Sequence, residues 1–287
     1  LTGLTGGIEI GGTKCVALLS RGREIVEQQR VPTTGPATTL AACSAALDRM
    51  IATHGPIDAL GIGSFGPLGL DSGRADFGRV TNTPKPGWAG TDLLGHFARH
   101  GVRMAIDTDV AGAALAEGRW GASVGASVHI YMTIGTGIGI GIVVDGRPVH
   151  GRIHPEAGHV RVRRAAGDAF AGLCPFHGDC LEGLASGPAI AARAGRAAGD
   201  LPADHPVWSR VADEVAEALA MLVLTLSPGR IVVGGGVTDG QPHLLPRIAA
   251  RAASLVGTYV EGVADLIRPP GLGRDAGPLG TIAIAKV

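Results

Sequence analysis

Residues 7–19 read G-I-E-I-G-G-T-K-C-V-A-L-L, and residues 129–144 read H-I-Y-M-T-I-G-T-G-I-G-I-G-I-V-V. Each is an apolar run, a glycine-rich turn and a second apolar run, the pattern of two short strands joined tightly. Glu9-Ile10-Gly11-Gly12-Thr13 lies over Thr133-Ile134-Gly135-Thr136-Gly137. One such hairpin is commonplace. Two in one chain read as an internal repeat, with two halves that each open on a hairpin whose turn faces a shared cleft. Backbone N–H groups in such turns form a concave site for phosphate oxygens. The candidates are Gly11, Gly12, Thr13 and Lys14 in the first turn, and Gly135, Thr136 and Gly137 in the second.

Working outward, apolar periodicity predicts a helix over about 37–54, a strand over 57–64 and a buried strand over 102–106. That last strand empties into D-T-D-V and a helix start, so Asp107 and Asp109 stand at a strand-to-helix junction. Such an acid is either an N-cap or a ligand-binding residue beyond a strand end. Residue type alone does not rank the two. Residues 78–91 form a loop rich in proline and glycine, in which Asn82 and Lys85 are candidates to touch substrate. Further on, a helix is expected over about 206–226, ended by Ser-Pro-Gly, and a strand over 230–233. This strand runs into Gly234-Gly235-Gly236, a third glycine turn suited to a flat base or ribose. A helix over about 243–256 and a final one at 277–285 that packs back on the body complete the chain. Two motifs are set aside. The turn at 11–14 has Gly-Thr-Lys where a P-loop needs Gly-Lys-Thr, and G-I-G-S-F-G at 61–66 is followed by Pro67 and Gly69, which do not open a helix.

The chemistry-bearing stretch runs from His154 to Glu182: H-P-E-A-G-H, a polar connector, then C-P-F-H-G-D-C-L-E. Cys174, His177 and Cys180 are three residues apart, and His159 lies upstream. Four closely spaced nitrogen and sulfur ligands suit a tetrahedral zinc site, closed and therefore structural. Pro175 and Gly178 supply the turn between ligands, and His154 is a reserve ligand. Glu156 and Glu182 flank the knuckle. Carboxylates held there suit polyol hydroxyls, and His159 offers one ring nitrogen to the metal and the other to a ligand.

With 25 basic and 25 acidic residues the chain has no net charge to attract nucleic acid or an anionic membrane. Hydrophobic residues make up 45%, enough for a sizeable core, and the 47 glycines follow no G-X-Y period, so they are assigned to tight turns. Four cysteines in 287 residues make no disulfide framework; Cys15 and Cys43 sit in apolar contexts and read as buried. Free thiols beside zinc fit a reducing, cytoplasmic compartment, and neither a leader nor an apolar run of membrane-spanning length is found.

Two glycine hairpins, a strand-end aspartate, a glycine triplet and a zinc knuckle in this order resemble the ROK family of bacterial sugar kinases and repressors. The wording T-P-K-P-G-W-A-G-T-D at 83–92, H-P-E-A-G-H at 154–159 and C-P-F-H-G-D-C-L-E-G at 174–183 is similar to its zinc-containing fructokinase branch. The resemblance implies an α/β, actin-like, hexokinase-type (ribonuclease H-like) ATPase fold, with two duplicated α/β domains and a cleft between them. The N-terminal domain is set at 1–110, with a C-terminal helix at about 278–287 packing back on it. The second domain is set at 111–277 and carries the knuckle at 154–182.

The resemblance also implies the roles. Asp109 is the catalytic base, and Glu156, His159 and Glu182 grip sugar hydroxyls, with Thr108, Asn82 and the Gly66-Pro67 loop around the sugar. Residues 11–14 and 135–137 cradle the phosphates of ATP, Gly234 and Gly235 face the adenosine, and Mg2+ bridges the phosphates, held through water by Glu9. Zn2+ sits on His159, Cys174, His177 and Cys180. Ala111 departs from the family's usual asparagine, a change expected to alter the sugar site. The expected activity is transfer of the ATP γ-phosphoryl group to the 6-hydroxyl of a hexose, fructose first, by a homodimer. The alternatives are a mannose, glucose or amino-sugar kinase, or an inactive sugar sensor. A DNA-binding repressor is set aside because such relatives need a helix-turn-helix ahead of the first hairpin, where this sequence is expected to leave no room.

Overall fold

The computed structural model describes residues 3–287; Leu1 and Thr2, at the start of the expected N-terminal domain, lie outside the described residues. The first lobe runs β1 (Leu4–Ile10), β2 (Lys14–Arg21), β3 (Glu24–Pro32), α1 (Pro36–His54), β4 (Ile57–Ser64), α2 (Leu93–Phe97), β5 (Arg103–Thr108) and α3 (Asp109–Trp120). Then follow β6 (Val128–Ile134), β7 (Ile138–Val144), β8 (Arg147–Pro148), α4 (Leu181–Ala185), α5 (Gly187–Ala194) and α6 (Val207–Leu226). The chain continues through β9 (Arg230–Gly234), α7 (Gly236–Gly240), α8 (Leu244–Val256), α9 (Val263–Leu266), β10 (Ile267–Arg268) and α10 (Ala276–Ile284).

The two sheets have one topology. The first is ordered β3-β2-β1-β4-β5 and the second β8-β7-β6-β9-β10, so the strands correspond one to one. In each, a glycine hairpin is antiparallel (β1/β2, β6/β7) and the next strand joins the hairpin's first strand in parallel (β4, β9). The repeat read from the two hairpins therefore extends through both sheets. The strand β3 escapes an apolar pattern because Glu24, Glu27, Gln28, Gln29 and Arg30 are exposed, as suits an edge strand.

Each lobe has its own core. Ile8, Ile10, Leu47, Met50, Ile62 and Trp88 pack in the first, and Ile130, Met132, Ile231 and Val233 pack against Val211, Val215 and Leu219 of α6 in the second. Fully burying one such aliphatic side chain contributes roughly 1.5–3 kcal/mol. The helices α3 and α10 pack on each other between the lobes, and α10 returns onto β1 and β4 as expected of the C-terminal helix. They cross closely: a Cβ on Gly280 would stand 2.5 Å from the Gly112 carbonyl carbon. The boundary expected between residues 110 and 111 lies inside the first turn of α3.

Candidate active site

The parallel strands β4 and β5 and the two hairpin turns open on one cleft of about 880 Å3. It is lined by Gly12 of the first turn, by Gly135, Thr136 and Gly137 of the second, and by Gly66, Pro67, Asn82, Thr108 and Asp109. Glu156, His159, His177 and Glu182 close its other side. The remaining members of the first turn, Gly11, Thr13 and Lys14, adjoin Gly12 without lining the cleft. The Gly66–Pro67 peptide is cis.

The junction of β5 and α3 separates the two aspartates. Thr108 is the N-cap of α3, its Oγ1 accepting from the Ala111 N–H at 3.1 Å. Asp107 is buried, accepts the Thr108 N–H at 2.7 Å and pairs with His150 Nε2 at 3.0 Å. The pairing with Asp107 raises the His150 pKa. Asp109, one residue past the cap, instead faces the cleft with only its neighbouring backbone N–H, from Val110 at 2.9 Å, as donor. Desolvation raises its pKa from 3.8 to about 6, its backbone hydrogen bonds opposing the shift. Such a carboxylate is ionised at neutral pH and basic enough to take a proton. Ala111 is buried under the cap and does not itself line the cleft.

Glu9, one residue before the end of β1, lies beside α10, where a Cβ on Gly277 would stand 2.2 Å from its Oε1. Burial first, and Asp109 second, raise its pKa to about 7. Across the cleft, Glu156 rises to about 7, chiefly through burial and then through Glu182 and Asp109. Glu182, in the first turn of α4, accepts the Ile138 N–H at 3.0 Å and so fastens the second glycine turn to the knuckle. The sequence held no sign of this link, which joins positions 44 residues apart.

The four predicted knuckle ligands converge. His159, Cys174, His177 and Cys180 each offer an atom within 4.8 Å of the others. His159 Nδ1 lies 3.5 Å from Cys180 Sγ and 3.6 Å from Cys174 Sγ, and His177 Nδ1 lies 3.7 Å from Cys174 Sγ. Tetrahedral zinc with bonds of roughly 2.3 Å to sulfur and 2.0 Å to nitrogen sets S···N edges of about 3.5 Å. The donors fit. Reciprocal backbone bonds between Cys174 and Gly178, the latter at φ 62°, form the turn expected there. With Nδ1 toward the sulfurs, His159 Nε2 faces Glu156 Oε2 at 3.9 Å. Arg164, paired with Asp179 at 3.0 Å, ties the connector to the knuckle, and Arg193 joins Asp168 at 3.1 Å to Glu214 of α6 at 2.8 Å.

Two sequence expectations shift, and one residue is new. His154 is not a metal ligand: its Nε2 accepts the Leu68 N–H at 3.0 Å, and it stands outside the four-residue cluster. Gly234 and Gly235 do not line the cleft. Gly235, at φ 101°, lies against the end of β6, where a Cβ would stand 2.5 Å from the Ile134 carbonyl oxygen. Thr33, which no motif marked, holds the first turn: its Oγ1 donates to the Gly11 carbonyl at 2.8 Å and its N–H to the Thr13 carbonyl at 3.0 Å. Cys15 and Cys43 are buried, as read from their contexts.

The model of the ROK family matches residues 5–287. The chain belongs to the ROK family. It is 40% identical over 287 residues to a fructokinase of Pediococcus pentosaceus, covering 99% of this chain and 98% of that protein. A fructokinase of Zymomonas mobilis subsp. mobilis is 43% identical, with 98% and 95% covered. Among solved structures, the ROK hexokinase from Thermus thermophilus superposes with a TM-score of 0.80 at 28% identity, covering 99% and 98%. The ROK glucokinase from Streptomyces griseus in complex with glucose and AMPPNP gives 0.78 at 25% identity, covering 99% of each chain. The fold is thus the hexokinase-type α/β fold that the family resemblance implies.

Proposed function

We propose that this ROK protein is an ATP-dependent fructokinase that phosphorylates the 6-hydroxyl of fructose. Full-length relatedness to fructokinases agrees with this reading. The observation that carries it is one cleft collecting an under-bonded aspartate, two glycine turns and a carboxylate–imidazole cluster.

The catalytic steps follow from that collection. The turns around Gly12 and Gly135–Gly137 offer backbone N–H groups to the phosphates of ATP, and Glu9, which does not itself line the cleft, would hold the accompanying magnesium. Glu156, Glu182 and His159 Nε2 hold sugar hydroxyls, with Asn82, Thr108 and Gly66-Pro67 around the ring. Asp109 accepts the proton of the attacking hydroxyl as its oxygen bonds the γ-phosphorus and the bond to ADP breaks. His159, Cys174, His177 and Cys180 hold a zinc ion whose contribution is to fix the positions of Glu156, His159 and Glu182. Closure of the lobes about α3 and α10 excludes water, a competing acceptor. The working assembly is a cytoplasmic homodimer.

The test is ADP release with Mg-ATP across fructose, mannose, glucose and their 2-amino analogues. Turnover with fructose leading supports the assignment; a higher kcat/KM for glucose or an amino sugar refutes it.

A further inference from the structure

Among the described residues lining the cleft, Lys85 is the one lysine or arginine, and it shares that lining with Asp109, Glu156 and Glu182. It has no carboxylate partner in the described ion pairs. Its Nζ donates instead to the backbone carbonyl of Gly12, in the first phosphate turn, at 2.5 Å, and lies 6.0 Å from the Phe65 ring centroid. The loop that carries it is pinned. Trp88 is fully buried, its Nε1 donates to the Thr34 carbonyl at 2.9 Å, and its ring meets Phe65 edge-on at 5.1 Å. The Trp88 N–H also donates to the Lys85 carbonyl at 3.2 Å.

A lysine held on a carbonyl of a phosphate turn, in a cleft whose lining offers three carboxylates and, among the described residues, no second lysine or arginine, is placed to meet an anion there. An ammonium has three donors, and a neutral carbonyl is a weaker acceptor for it than a phosphoryl oxygen. Phosphoryl transfer spreads negative charge over the equatorial oxygens of the moving group, and a preorganised cation there acts on the rate.

We infer that Lys85 is a catalytic cation that exchanges the Gly12 carbonyl for a γ-phosphoryl oxygen of ATP. This rests on the kinase reading. The hydroxyl oxygen bonds the γ-phosphorus, the bond to ADP breaks, and the proton goes to Asp109; Lys85 keeps its protons and only donates hydrogen bonds.

The test uses Lys85→Met and Lys85→Arg in the full chain. Calorimetry compares Mg-AMPPNP with Mg-ADP, and kinetics and thermal midpoints are measured in parallel. Lys85→Met weakens Mg-AMPPNP binding about tenfold or more and leaves Mg-ADP unchanged, because the contact is with the γ-phosphoryl alone. Its kcat falls about 10²–10³-fold with the fructose KM near wild type, and Lys85→Arg recovers part of the loss. The midpoint stays at the wild-type value. Equal changes in the two nucleotide affinities, no change in either, or a kcat loss accompanied by a lowered midpoint overturns the assignment. If no hexose raises ADP release by the wild type, the kinase reading falls, and the nucleotide pair still decides the role of Lys85.

Discussion

Lowering the pH tests the base most directly. Asp109 faces the cleft with backbone N–H as its only donor, and desolvation raises its pKa from 3.8 to about 6. A general base works only when ionised, so the sign is fixed: turnover is present above this pKa and lost as pH falls through it. With a pKa of about 6 the ionised fraction is about 90% at pH 7 and about 10% at pH 5, a tenfold loss. An aspartate at 3.8 would stay about 90% ionised at pH 5 and leave the profile nearly flat. The assay is kcat at saturating Mg-ATP and fructose from pH 5 to 8. Glu9 and Glu156, both raised to about 7, titrate in the same window, so the Asp109→Asn variant assigns the profile. Asp109→Asn, in the same assay at pH 7.5, loses about 10²–10⁴-fold in kcat while still binding Mg-ADP. A flat profile down to pH 5, or a variant within tenfold of wild type, refutes Asp109 as the base.

Asp107→Asn keeps kcat within about tenfold, because Asp107 serves His150 and the Thr108 N–H rather than the cleft; a loss equal to that of Asp109→Asn contradicts this. The purified protein carries about one zinc per chain by elemental analysis, and Cys180→Ser lowers both the zinc content and the thermal midpoint, by about 5 °C or more. Fully active, zinc-free protein removes the metal from the reading. Glu182→Gln raises the fructose KM about 10–100-fold through loss of a charge-assisted hydrogen bond. It also raises the ATP KM, because Glu182 Oε2 anchors the Ile138 N–H beside the second phosphate turn. Unchanged constants for both substrates exclude Glu182 from the site.

Local pattern alone determined the longer elements, and missed the edge strand β3 and the short helices α2, α4, α5, α7 and α9. Apolar runs flanking glycine turns gave both hairpins, and helical periodicity placed α1, α6, α8 and α10 within a few residues, because backbone period and side-chain burial are short-range relations. Cys174, His177, Cys180 and His159 were legible as one cluster because the three residues of 174–180 lie three apart and His159 lies close upstream. Tertiary structure decided what depended on distant neighbours. Asp107 and Asp109 have the same side chain two positions apart. The N-cap at Thr108 turns one toward His150 and leaves the other to the cleft, and only the fold supplies that difference in hydration. His154 matched a ligand by residue type but lies under the Leu68 N–H. The glycines at 234 and 235 were read as a ligand surface, whereas the contact that requires Gly235 is the end of β6. Thr33 and Glu182 hold the phosphate turns, and Lys85 reaches the first of them, through contacts spanning 22, 44 and 73 residues, separations that no local pattern records.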